Sequence, residues 1–298
     1  MTIFEENYLL MGKSGLHILI LFYFVLAGCS HNSEKENIRV MTLNLRYDNP
    51  RDSLNAWQGR SEIVADFLDI MKPDLLGMQE VMYHQYELLD SVLSDYGSAG
   101  VGRSDGAKGG EMNPVFYRKE KFDMVRTKTF WLSETPEIPG SQSWGANLPR
   151  IVTWIELADK NSHKHFFFFN THFAHDSDSA RVLSSGLLLR MVDSIASSYP
   201  FIITGDFNMS HSSKGYAILT GPYESIPLIA DSYMISEKKP AGPEYTFNGF
   251  SDKPGKSRID YVFVKEGLKV LEHRTIIKKV HNIYISDHWP VEAVISLK

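Results

Sequence analysis

The chain has 298 residues, 43% of them hydrophobic and 22% charged, with a formal net charge of −5. That suits one large or two small globular domains with ample core, and a single cysteine, Cys29, excludes an intramolecular disulfide. The densest basic spot is only Lys278-Lys279, which argues against a long polyanionic substrate, since non-specific nucleic-acid binders carry a basic stripe.

Lys13 precedes an apolar stretch from Leu16 to Leu26, followed by Ala27-Gly28-Cys29-Ser30. A basic start, a short apolar run and small residues before a cleavage point predict a secretory signal too short for a stable span. Leu26-Ala27-Gly28-Cys29 resembles the lipobox of bacterial lipoproteins, in which the cysteine becomes the lipidated first residue. Residues 1–29 are thus expected to be signal and lipidation site, 30–37 a polar tether, and 38–298 one catalytic domain. Removing residues 1–28, with Glu5, Glu6 and Lys13, leaves a net charge of −4. Met11 is a second candidate start, because the first ten residues carry two acids that a signal usually avoids.

Ile38–Leu43 alternates and is β-branched enough for a strand. Ser61 is a helix cap, with Ile63, Val64, Phe67, Leu68 and Met71 on one face and Pro73 as the stop. Asp74–Met78 reads as a buried strand, followed by a helix striped by Tyr86, Leu89, Val92 and Leu93. Gly97 to Gly110 is glycine-rich and predicts a loop. Strands follow at Val115–Tyr117, Ile151–Leu157 and Phe166–Thr171, then a helix over Ser179–Ser197 with Val182, Leu183, Leu187, Met191 and Ile195. Phe201–Thr204, Ile259–Val264 and Val291–Ser296 complete the strands. The runs Phe166–Phe169 and Phe201–Ile203 are apolar on both sides, so their strands are buried on both faces. A two-sheet α/β sandwich with outer helices fits best.

Chemistry gathers at the strand ends. Gly205-Asp206-Phe207-Asn208 follows the run Pro200–Thr204, and alternation along extended backbone points Asp206 and Asn208 the same way. Glu80 follows Leu75–Met78, where a carboxylate is costly to bury unless paired or bound to a cation. Mg2+ or Mn2+ best suits such carboxylates together with water and phosphate oxygens. His172 ends Phe166–Thr171, and Asp287-His288 precedes Pro290. Two histidines and three acids at strand mouths exceed what a core requires.

Six motifs, in order, resemble the endonuclease/exonuclease/phosphatase superfamily over essentially the whole mature chain. They are Thr42-Leu43-Asn44-Leu45-Arg46, Gln79-Glu80-Val81, Asn170-Thr171-His172, Gly205-Asp206-Phe207-Asn208, Arg258-Ile259-Asp260-Tyr261-Val262 and Ser286-Asp287-His288-Trp289-Pro290-Val291. The group includes deoxyribonuclease I, abasic-site endonucleases, sphingomyelinases, inositol polyphosphate phosphatases and poly(A) deadenylases. The resemblance implies a four-layer sandwich, two central mixed β-sheets face to face and flanked by helices, with the site at one edge. It implies Glu80 as principal ligand of one or two Mg2+ or Mn2+ ions, with Asn44 and Asp287 nearby. Asp206 would activate water, and Asn208 would hold a phosphate oxygen or help place the nucleophile. His172, and His288 polarised by Asp260, would donate to phosphate oxygens. Whether Asp206 or the His288–Asp260 pair is the base stays open.

Nearby loops offer further substrate contacts: Arg46 and Asp48, Glu111 and Asn113, and His175, Asp176 and Arg181. Phe130-Trp131 and Trp144 read as an aromatic insertion able to stack a base or sugar, with core packing of Trp131 the stronger reading. The leading function is a metal-dependent phosphodiesterase or phosphomonoesterase, monomeric, exported and membrane-anchored at the periplasmic or surface face of a bacterial envelope, acting on a small phosphoester or lipid headgroup. A secreted nuclease is the alternative, requiring a basic groove despite the net charge. A non-catalytic binding module is disfavoured because every core motif residue is intact. Cys29→Ser is expected to release the protein from the membrane fraction into the soluble fraction; a wild-type chain already soluble and retaining residues 1–28 refutes lipidation.

Overall fold

Runs apolar on both faces become central strands, and each central strand ends at one edge of the molecule. The computed structural model describes residues 37–224, 226, 229–253 and 255–297. The signal, Cys29 and residues 30–36 of the tether lie outside the described residues.

In chain order the main elements are β1 (Asn37–Asn44), α1 (Trp57–Met71), β2 (Leu75–Gln79), α2 (Tyr83–Val92), β3 (Tyr96–Ala99), β4 (Val115–Arg118), β5 (Phe122–Trp131), β6 (Ile151–Asp159), β7 (His165–His172), α3 (Asp178–Ala196) and β8 (Phe201–Asp206). There follow α4 (Lys214–Thr220), β9 (Ile229–Asp231), α5 (Ser232–Ile235), β10 (Asp260–Lys265), β11 (Lys269–Thr275), the short pair β12 (Lys279–Val280) and β13 (Ile283–Tyr284), and β14 (Val291–Ser296). One sheet runs β11-β14-β1-β2-β4-β3 and the other β5-β6-β7-β8-β10-β9. Each contains a single parallel pair, β1 with β2 and β7 with β8, flanked by antiparallel neighbours.

The four phenylalanines of β7 show how the layers form. Phe166 and Phe168 enter the core between the sheets with Val40, Leu75, Ile202 and Val262. Phe167 and Phe169 point the other way, onto Leu188, Leu189 and Val192 of α3. On the outer face of the first sheet, Met41, Leu76 and Met78 meet Val64, Phe67 and Leu89 of α1 and α2. The expected four-layer sandwich is present. Among the described residues no helix is long and apolar enough to cross a membrane.

Several boundaries differ from the sequence reading. Helix α1 starts at Trp57, a turn before Ser61, because Trp57 and Arg60 are themselves buried. The buried face of α3 is Leu188, Leu189, Val192 and Ala196, and Leu183 is exposed. Val92 is also exposed. Strand β3 takes the start of the expected Gly97–Gly110 loop, and Asn37, read as tether, opens β1 opposite Ser296. Phe130 and Trp131 are no insertion: they end β5 and are buried, with the Trp131 indole donating to the Arg103 carbonyl.

One amide couples the two sheets beneath the strand ends. Asn170 on β7 is fully buried and donates through Nδ2 to the carbonyls of Met78 and Pro114, at 2.6 and 3.0 Å. Its Oδ1 accepts from Gln79 Nε2 at 2.6 Å and Thr204 Oγ1 at 3.0 Å. Gln79 also bonds Thr42. Asn170→Leu keeps the volume but strips four partners of this amide, so a loss of about 2–4 kcal/mol is expected from urea unfolding. A loss below about 1 kcal/mol would show that the amide is not the coupling.

Candidate active site

Because the parallel strands of each pair run the same way, their C-terminal ends emerge together. Asn44 lies opposite Gln79, the residue before Glu80, and His172 lies opposite Asp206. The antiparallel neighbours begin where these end: Asp260 of β10 pairs with Asp206, and Asp287-His288 lead into β14. Of these residues Glu80, His172, Asp206, Asp287 and His288 line one cavity of about 610 Å3.

Asn44 straps two carboxylates, its Nδ2 donating to Glu80 Oε1 at 3.1 Å and to Asp206 Oδ2 at 2.9 Å. Its oxygen accepts from the Arg46 backbone N–H at 2.9 Å. The sequence placed Asn44 among the metal donors; here it turns its nitrogen to the carboxylates, with its oxygen already engaged. Glu80 accepts a second bond from the Tyr47 N–H at 3.2 Å. Arg46, Glu80 and Asn208 all have positive φ, 64°, 58° and 50°, which non-glycine residues adopt at a cost and which clusters at functional sites.

Strand β8 ends at Asp206, so Asn208 does not share its face by alternation, as the sequence suggested. An Asx turn brings them together: the Asn208 N–H donates to Asp206 Oδ1 at 2.9 Å. Asn208 Nδ2 donates to His172 Nε2 at 2.9 Å and the Phe173 carbonyl at 3.0 Å. Both amide hydrogens are used, leaving Oδ1 as the free acceptor. His172 Nε2 therefore receives a hydrogen bond, while its buried Nδ1 has no partner among the described residues. Burial, with Arg150 and Arg103 nearby, holds His172 well below its usual pKa.

His288 has the opposite character. Its Nδ1 meets Asp260 Oδ2 at 2.8 Å, and Nε2 stands 3.8 Å from Asp206 Oδ2. Burial works against its charge, yet Asp260 and Asp206 together hold it well above its usual pKa. Asp206 is pushed up to about 7 by burial, with Asp260 adding to the rise.

Ligand atoms of Glu80, His172 and Asp206 lie within 4.8 Å of one another, as do those of Asp206, Asp260 and His288. The Asp287 carboxyl is raised by burial and further by Glu80. Two acids that repel at a cavity wall, with His288 and Arg46 (3.7 Å from Asp287) offsetting part of the charge, are a donor set that fits a divalent cation.

A family model described as the endonuclease/exonuclease/phosphatase family matches residues 41–288. The chain belongs to that family. A solved endonuclease/exonuclease/phosphatase from Bacteroides vulgatus is 37% identical, with a TM-score of 0.84 over 88% of this chain and 99% of that one. The mannosyl-6-phosphatase of Bacteroides thetaiotaomicron is 33% identical, with a TM-score of 0.79 over 87% and 99%. An uncharacterised protein, L388, of Acanthamoeba polyphaga mimivirus is 26% identical over 80% of this chain and 92% of its own length. As a member of the endonuclease/exonuclease/phosphatase family, the protein is a hydrolase of phosphoester bonds.

Of the loop residues nominated from sequence, Arg46, Glu111 and His175 line the family's cavity. Three do not. Asp48 pairs with His84 at 3.0 Å, Asn113 is buried and donates to the Ile151 carbonyl, and Arg181 ties the Ala174 carbonyl to Asp178. Asp176 accepts from the Asn147 N–H, and neither it nor Trp144 reaches the cavity. Sequence reading missed Tyr47, Arg150 and Phe247, which line it. It also missed Arg60, fully buried, whose guanidinium donates to the carbonyls of Leu45, Arg46, Asn55 and Ile285. That side chain clamps the Asn44 loop to the segment leading to Asp287.

Asp206 binds its proton more tightly folded than unfolded, so stability falls as pH rises from about 4 to about 7. His288, raised by the same carboxylate, acts in the same sense. In EDTA, Asp206→Asn is expected to gain stability relative to wild type as pH rises across that window. A pH-independent difference in unfolding free energy would contradict the assignment.

Proposed function

We propose that the protein is a divalent-metal-dependent phosphoesterase acting on a small phosphoester or lipid headgroup. The observation that carries this reading is the meeting of Asp206, Asn208 and His288 with the carboxylates of Glu80 and Asp287 around one cavity. A volume of about 610 Å3 suits a small ligand, and the Bacteroides thetaiotaomicron relative is a mannosyl-6-phosphatase. A sugar phosphate is therefore a natural candidate. The membrane tether read from Cys29 would place this chemistry at a bacterial envelope.

Glu80 and Asp287 would hold the ion, one or two of Mg2+ or Mn2+, which supplies Lewis-acid polarisation of a phosphoryl oxygen. Asp206 and Asn208 Oδ1 are the two acceptors that can hold a water by its hydrogens. An Asp206 pKa of about 7 lets it take the water's proton near neutrality with useful driving force. His288, charged and oriented by Asp260, faces the negative charge that grows on the phosphoryl group. Such a donor contributes on the order of 3–4 kcal/mol. His172 holds the Asn208 amide in place.

Two substitutions test the division of labour. Glu80→Ala is expected to weaken Mg2+ binding in calorimetry, with the fold intact. Asp206→Asn is expected to cut kcat by about 10²-fold or more, with KM little changed. Unchanged Mg2+ affinity in the first, or wild-type turnover on the best substrate in the second, would overturn the corresponding role.

A further inference from the structure

Two of the arginines buried near the site, Arg60 and Arg150, differ in one respect. Arg60, with no exposed surface, spends its guanidinium on four backbone carbonyls. Arg150 is 4% exposed and lines the catalytic cavity, yet only its Nη2 is engaged, with His175 Nδ1 at 2.9 Å. Its Nε and Nη1 have no partner among the described residues. No carboxylate of the described residues pairs with it. The acid best placed to do so, Glu111, is taken by Arg103 through two contacts of 2.8 and 2.9 Å.

A guanidinium held out of water without a counter-charge is unfavourable, and such a charge persists where an anion comes to it. Burial and the neighbouring Arg103 lower the Arg150 pKa, and the more distant carboxylates of Glu111, Asp206 and Glu80 do not make up the difference. Arg150, His172, Asp206 and Asn208 line the same cavity, so an anion held by Arg150 shares that space with the Asp206–Asn208 turn. The arginine donates to His175 Nδ1, which leaves His175 Nε2 as a further donor at the exposed mouth.

We propose that Arg150 is the anchor for a terminal phosphate group and makes phosphomonoesters the preferred substrates over diesters. This rests on the phosphoesterase reading and deepens it. A terminal phosphate carries about −1.5 to −2 charge near neutrality, whereas a diester carries a single charge. An unpaired buried cation is better compensated by the first. The guanidinium also has donors in reserve for the additional unesterified oxygen.

The test compares full-length wild type, Arg150→Met and Arg150→Lys on p-nitrophenyl phosphate and bis-p-nitrophenyl phosphate with Mg2+. In parallel, inorganic phosphate is titrated into the EDTA-treated proteins by calorimetry and thermal unfolding followed. Arg150→Met is expected to lower kcat/KM for the monoester by about 10²-fold, at least tenfold more than for the diester. Phosphate affinity should fall in step, and Arg150→Lys should recover part of both. The Tm of Arg150→Met without phosphate should equal or exceed that of wild type, because an uncompensated buried charge has gone. Equal losses on the two esters, unchanged phosphate affinity, or a lowered Tm shared by both variants would overturn the anchor. Wild type inert on both esters yet binding phosphate through Arg150 would overturn the phosphoesterase reading and leave the anchor standing.

Discussion

The amide of Asn170 is the point on which the site depends. Both of its hydrogens and both acceptor positions of its oxygen are engaged, two on backbone and two on side chains. Through it the first sheet, by Gln79 and Thr42, is held at fixed height against Thr204 of the second. Gly77 leaves the room: a Cβ there would come within 2.1 Å of Thr204 Oγ1 and 2.5 Å of Asn170 Oδ1. Since a buried polar group tolerates few alternatives, a sliding of one sheet over the other is penalised at this level. Glu80 and Asp206 sit next in sequence to Gln79 and two after Thr204, so their separation is inherited from that bond.

Above the latch, charge is divided without being neutralised. Asn44, a neutral group, stands between Glu80 and Asp206 and gives each one hydrogen bond. Burial and Asp260 keep Asp206 a weak acid although the Asn44 bond works against them, and Asp260 with Asp206 keeps His288 a strongly held cation. Glu111 and Arg103 form a closed pair beside them. The site therefore combines an acidic corner, a proton-accepting centre and an uncompensated guanidinium, three environments produced by placement alone.

What was legible in the sequence was whatever local chemistry dictates. Apolar runs marked the central strands, and polar residues flanking those runs marked Asn44, Glu80, His172, Asp206 and His288, while Asp260 was found only through its family motif. The edges were not legible. Strand β5 exposes most of its middle, and β11 carries a mixed pattern broken by a register shift between Val270 and Glu272. An edge strand buries too little to show period two. Nor could Arg150, Tyr47 or Phe247 be found, because each lies in a loop and owes its role to residues far away in the chain. The Asn208 turn was hidden for another reason. A strand and an Asx turn both bring residues i and i+2 together, and only the backbone tells them apart.

The pairing of β1 with β14 has a consequence for how the protein comes into being. Asn37 aligns with Ser296 and Thr42 with Val291, so the first strand lacks one neighbour until residues beyond Val291 have been synthesised. Contacts of such long sequence separation form slowly, and an open edge is an invitation to mispairing. The nascent chain can gather its second sheet early, but Asp287 and His288 join the cavity only when the closing strand arrives. Activity therefore waits on the arrival of β14, however early the other strands have gathered.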